Sequence, residues 1–257
     1  MIRRIWLHRQ LVASLMRRQF QLRYRQSLVG VVWALAPPMA ILGVGVVVFN
    51  KVVGVDTGRV TYSVFALSAL VPWTFLANSV ILGVPSVAES PHIITRLVFP
   101  RAVLPLSMIG VSLLDLTASI VIFAIFAYGL GDGLPLTALW FPLLLFIEIA
   151  FVVGVVLFGS ALNVFARDVR LAVPLLVQLW LFLTPVMYPL SSVPDGMREW
   201  YLLNPMTGMV ESFRRILVYG HPPELGVLTG AITGAVLALV IGFSYFRATE
   251  ARFADVI

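Results

Sequence analysis

Six stretches of this chain run for about twenty residues with almost no charge, a length and polarity that suit the interior of a bilayer rather than water. They fall at 28–50, 62–84, 102–130, 136–164, 171–188 and 226–246, and the only charged side chains within them are Asp115 and Glu148. A helix rising about 1.5 Å per residue crosses the roughly 30 Å hydrocarbon core in about twenty residues. The expected fold is therefore all-α, a membrane protein with six transmembrane helices. Composition agrees: 60% of the 257 residues are hydrophobic and 12% are charged. A soluble domain is roughly half apolar and about a quarter charged. Pro37-Pro38 is expected to bend the first span and Pro72-Trp73 to interrupt the second.

The net charge of +6 is a matter of placement. Segments 1–27, 85–101, 165–170 and 247–257 together hold thirteen Arg and four acids, whereas 51–61, 131–135 and 189–225 hold five cations and six acids. Basic loops stay on the cytoplasmic side, so the first set and both termini are expected there. An even number of spans gives the same answer from different residues. The basic excess thus reports topology and contact with membrane lipid, and no nucleic-acid partner is expected. Residues 1–27 carry seven Arg and no acid but no unbroken apolar core before Ser27, so no cleavable signal peptide is expected.

The whole of 1–257 reads as a single transmembrane domain: an interface helix in 1–27, spans one to five in 28–188, an outer region in 189–225, then the last span and tail in 226–257. Within 5–27, Leu7, Leu11 and Leu15 form one apolar row, and Val12, Met16, Phe20 and Tyr24 the row beside it. Arg9, Arg17, Arg18, Arg23 and Arg25 take other positions. Such an N-terminal amphipathic helix lies in the headgroup plane; the alternative is a basic tail that only fixes orientation. The 189–225 linker is too long for a hairpin and too apolar for a tail. Around Asn204-Pro205, stretches 197–202 and 206–218 make two short re-entrant helices before the last span, with a plain external loop carrying one amphipathic helix as the alternative.

Catalytic patterns are missing. A phosphate-binding P-loop ends in Gly-Lys-Ser/Thr, but the sole lysine, Lys51, is followed by Val52. His8, His92 and His221 lie outside the spans, without a metal-ligating neighbour at helical spacing. Ser160 has no base at membrane depth, and there is no cysteine. Asp115 and Glu148 are open to two readings: hydrogen bonds to a neighbouring helix, or a polar lining or proton relay. Two isolated carboxylates with no basic partner make a poor ion-coupling chain. The basic linkers are more telling. Ser90-Pro91 starts a short helix bearing His92 and Arg96, with Glu89 ahead of it, while Arg167, Asp168 and Arg170 crowd into four residues between two spans. A solvated turn, or Arg that only set topology, is the plainer reading of each.

Four ordered segments carry a resemblance: Leu70-Val-Pro-Trp-Thr-Phe-Leu-Ala-Asn-Ser79, Phe99-Pro-Arg101, Asn163-Val-Phe-Ala-Arg-Asp-Val169 and Leu203-Asn-Pro205. In order and spacing the chain resembles the permease subunits of type-2 ATP-binding-cassette exporters of bacterial surface polysaccharides, over nearly its whole length. Ala166 departs from the pattern, where an aromatic often precedes the Arg-Asp pair. The resemblance implies a non-enzymatic homodimer in the bacterial inner membrane, with a polymer channel along its axis. It implies two copies of a separate nucleotide-binding ATPase that holds the ATP and Mg, with no cofactor on this chain. It also implies that Glu89, His92, Arg96, Arg167, Asp168 and Arg170 couple to that ATPase. The substrate implied is a lipid-linked polysaccharide, O-antigen first, with teichoic acid or capsule as alternatives within the family. Trp33, Trp73, Phe75, Trp180, Phe182 and Tyr188 are then either packing and interfacial anchors or faces on which sugar rings slide. An ion-coupled secondary transporter is the alternative of another class; it would have only Asp115 and Glu148 for coupling. A membrane enzyme acting on lipid-linked sugars would need clustered charges at the interface.

Overall fold

The computed structural model describes residues 9–24, 35–58, 60–96, 99–131 and 133–256, and among them the chain forms helices and no strand. Helix α1 is Arg9–Tyr24, and α2 is Ala36–Gly45, continued by the wider turns of a π segment, Val46–Val52. Then come α3, Tyr62–Gly83, the short α4, Pro91–Arg96, and α5, Val103–Leu130. A 3-10 turn, Leu136–Trp140, leads into α6, Phe141–Phe165, and α7 is Val169–Phe182. Two helices meet at Asn204: α8, Asp195–Leu203, and α9, Pro205–Leu217. Last are α10, Leu225–Thr249, and one turn, α11, Phe253–Val256. Trp33 and the beginning of the expected first span lie outside the described residues, as does the Arg96 side chain.

Four of these helices are long and apolar enough to cross a membrane: Tyr62–Gly83, Val103–Leu130, Leu136–Phe165 and Leu225–Arg252. Ala36–Val52 and Val169–Phe182 are apolar but shorter. Two local expectations are corrected. Pro72 does not interrupt its helix; α3 runs through it with the ring buried among neighbouring helices, which tolerate a missing backbone N–H when packing surrounds it. Pro37 and Pro38 stand in the first turn of α2, where an absent N–H leaves nothing unsatisfied; the 28–34 side of the expected bend lies outside the described residues. The fifth apolar stretch is helical only to Phe182, since Pro185 offers no N–H and disfavours helical backbone before it. The Thr184 hydroxyl donates to the Trp180 carbonyl at 2.9 Å, closing that end.

The core is built on α3, which packs against α2, α5, α6, α7 and α9. Phe65, Leu70 and Leu76 along it are fully buried. The tightest helix pair is α6 with α10. A Cβ placed on Gly154 would overlap the Ala238 backbone, and one on Gly242 would overlap the Gly154 carbonyl. Only glycines allow main chains to come so near, a packing mode common where helices associate in lipid. A smaller cluster, containing Val87, Ile94, Leu157, Val164, Phe246 and Phe253, closes the end of the bundle where the 85–101 and 165–170 linkers lie.

The N-terminal helix differs from its expected setting. Leu11, Val12, Leu15, Met16 and Phe20 are half-buried, as its apolar rows require. They face α5 rather than lipid alone: Met16 covers Gly110. Arg23 donates to the Asp115 carboxylate at 2.9 Å, with Asp115 only 3% exposed and Arg23 35%. Asp115 therefore has a basic partner, contrary to the sequence reading, and it comes from outside the spans.

Candidate functional site

The two basic linkers come together at one end of α6. There α6 stops at Phe165, Ala166 is extended, and α7 starts after Asp168. The turn is fixed from below by Asn163, whose Oδ1 accepts the Arg170 backbone N–H at 3.0 Å. The Asp168 carbonyl accepts the N–H groups of Leu171 and Ala172, both at 3.0 Å. The Arg167, Asp168 and Arg170 side chains are exposed above it. Across from this turn, the Ser90 carbonyl accepts the N–H groups of Ile93 and Ile94 at 3.2 Å, starting α4 where Ser90-Pro91 predicts it. Ile94 is buried, while Glu89 and His92 are exposed.

Between the linkers lies a cavity of about 250 Å³ lined by Ala88, Pro91, Asn163, Val164, Arg167, Arg170 and Val256. Arg167 and Arg170 thus face the α4 linker, but Glu89, His92 and Asp168 do not line the cavity. The C-terminal turn forms its third side. Phe253 is stacked edge-on against Phe246, with centroids 5.3 Å apart, and the Arg101 guanidinium lies 5.9 Å above the Phe253 ring. Arg101 also donates to the Glu250 carbonyl. The Phe-Pro-Arg segment therefore ties the tail to the linkers, a role that sequence spacing did not reveal.

The opposite end of α6 is organised by two polar residues. Asn204 Oδ1 accepts the Met206 N–H, capping α9, and the Trp180 Nε1–H, each at 3.1 Å. Its Nδ2 donates to Thr184 Oγ1 at 2.9 Å. The second residue, Arg214, was counted only as a loop charge in the sequence, yet it is fully buried. It donates to Glu211 at 2.6 Å and to the carbonyls of Pro185 at 2.9 Å and Val186 at 3.1 Å, and it lies 3.9 Å over the Phe65 ring. Burial draws its pKa below the ordinary value and Glu211 opposes this; burial likewise pushes the nearby Tyr219 phenol up, against the pull of Arg214. The signal was present: Arg214 shares a helical stripe with Met206, Val210, Phe213 and Leu217, and it follows Glu211 at the i,i+3 spacing of a helical ion pair.

The aromatic candidates separate. An open apolar groove of about 450 Å³ between α2, α3 and α7 is lined by residues that include Trp73, Phe182, Asn78 and Gln178. Trp180 stacks edge-on against Trp73 at 5.9 Å and contacts Phe151 at 6.1 Å. Tyr188 donates to the Phe182 carbonyl at 2.8 Å and meets the Tyr201 hydroxyl at 3.1 Å. Phe75, 1% exposed, belongs to the core and does not line the groove.

Helices of membrane-crossing length, with charge gathered at the bundle's ends, define a polytopic helical membrane protein. The chain belongs to the ABC-2 type transporter family, whose model matches residues 10–218. It is 27% identical over 257 residues to the O-antigen export system permease protein RfbA of Myxococcus xanthus, covering 99% of this chain and 98% of that one. A Klebsiella pneumoniae protein of the same name is 28% identical over 248 residues, 96% and 95% of the two chains. The polysialic acid transport protein KpsM of Escherichia coli is 24% identical over 246 residues, 93% of each.

Proposed function

We propose that this chain is the permease subunit of an ATP-driven exporter that carries O-antigen polysaccharide, as a lipid-linked polymer, across the bacterial inner membrane. The observation that carries the reading is end-to-end similarity to O-antigen export permeases. In this reading the protein is one transmembrane domain with six spans, the shorter Ala36–Val52 and Val169–Phe182 helices belonging to spans one and five. Helices α8 and α9 are the re-entrant pair on the outer side, and both termini are cytoplasmic. Two copies of the chain enclose the path, with Trp73 and Phe182 on the groove between α2, α3 and α7 as its wall. The chain does no covalent chemistry. ATP and Mg belong to a separate ATPase, two copies of which dock at Glu89, His92, Arg96, Arg167, Asp168 and Arg170. The meeting of both linkers around one cavity supports this docking surface. Charge-assisted contacts there would set register between the subunits. Changing Asp168→Ala together with Arg170→Ala, and measuring complex assembly and transport-coupled ATP hydrolysis, tests it. Assembly or coupling should fall at least tenfold; normal values for both would refute the docking role.

A further inference from the structure

The Asn163 amide shows an imbalance that helix packing does not explain. The residue is fully buried in the last turn of α6. Its Oδ1 is committed to the Arg170 N–H, which fixes the amide's orientation, because only oxygen can accept there. Its Nδ2 is left as a buried donor with no acceptor. Buried donors are almost always paired, and an exception marks a strained site or one that awaits a ligand. Asn163 lines the 250 Å³ cavity between the linkers, and so do Arg167 and Arg170. Among the described residues neither arginine has a carboxylate at ion-pair distance. Asp168, beside Arg167 in the turn, and Glu89, on the facing linker, are exposed and do not line the cavity. The remaining walls, Ala88, Pro91, Val164 and Val256, offer no side-chain acceptor.

We propose that this cavity is a binding site for a phosphate group, held by the guanidinium groups of Arg167 and Arg170 and by the Asn163 Nδ2–H. Guanidinium pairs with phosphate through two parallel hydrogen bonds, and a tetrahedral anion has oxygens enough for both arginines and the amide. The site sits where α6 ends and α7 begins, at the end of a membrane-crossing helix and so at headgroup level. The phosphate arrives either on a lipid or free in solution. The inference deepens the docking reading of the same linkers, and rests on it for its role in transport. Its test contains no ATPase, so the two can fail separately.

The full chain, purified in uncharged detergent, is unfolded thermally while inorganic phosphate replaces chloride at constant ionic strength. A ligand bound only by the folded form raises the midpoint in proportion to its occupancy. In the second arm the chain is placed in nanodiscs containing phosphatidylglycerol, and the lipid retained after re-extraction is counted per chain. Arg167→Gln with Arg170→Gln removes two exposed charges without touching the core. Asn163→Asp keeps the acceptor for the Arg170 N–H but puts an anion where the ligand would sit. Saturable protection by phosphate, weakened at least tenfold in the double variant and absent in Asn163→Asp, assigns a free anion. Retention of phosphatidylglycerol by the wild type alone, with no response to free phosphate, assigns a lipid headgroup. Wild type and both variants behaving alike in both arms would overturn the proposal, leaving the amide as a hydration site or as part of a protein-only contact.

Discussion

Replacing Asn204 with alanine should uncouple the α8–α9 pair from α7, at a cost that follows from its hydrogen bonds. The side chain caps α9 through the Met206 N–H, holds the Trp180 indole N–H and donates to Thr184 Oγ1. Loss of an Asn cap costs about 1 kcal/mol. Trp180 is half-buried, so its released N–H regains some water and costs about 1 kcal/mol, near the lower end for an unsatisfied donor. Thr184 already bonds the Trp180 carbonyl and adds little. The total is about 2 kcal/mol, roughly a thirtyfold change in the folding equilibrium at about 1.4 kcal/mol per tenfold. Asn204→Asp retains the acceptor for both N–H donors and loses the donation to Thr184 and the longer one, at 3.4 Å, to the Leu183 carbonyl, so it should cost less than alanine. Both variants are measured by reversible unfolding in mixed micelles of mild detergent and sodium dodecyl sulfate, followed by tryptophan fluorescence. An alanine variant within about 0.5 kcal/mol of wild type, or an aspartate variant as unstable as alanine, would refute this account of the node.

Two other perturbations test the packing. Gly154→Ala places a methyl against the Ala238 main chain, which cannot swing aside as a side chain would; it should cost about 3 kcal/mol or more, seen as lost monodisperse protein after extraction, while the same change at the open Gly43 should be nearly silent. A double-mutant cycle with Arg23→Gln and Asp115→Asn should give a coupling of about 1 kcal/mol, modest because Arg23 is partly exposed, and a value near zero would remove the ion pair as the anchor of α1.

Much of this architecture was legible because the bilayer imposes a simple rule, that long uncharged stretches become helices. The rule located α3, α5, α6 and α10 to within a few residues. It gave no information about partners distant in sequence. Arg23 and Asp115 are 92 positions apart, and nothing in either neighbourhood announces the other. Proline was over-read: Pro72 breaks a helix in water, but it is tolerated where surrounding helices bury the gap. Arg214 was under-read, because counting charges by loop treats an arginine on an apolar stripe as if it faced solvent. The linkers were found from charge density alone. Their shared cavity was not, since it also requires Val256 from the far end of the chain and an amide from within a span.

The glycine contact between α6 and α10 has a mechanical consequence. With no side chains between the two main chains at Gly154 and Gly242, there is no layer whose rotamers can shift to let one rod slip past the other. The two move as one strut, and each is 25 residues long, about 37 Å at helical rise. A displacement of α6 along its axis should therefore carry α10 with it, and both rods bear on α9: α6 at its far end, where Phe141 meets Phe213, and α10 partway along, where Gly234 lies against Pro205.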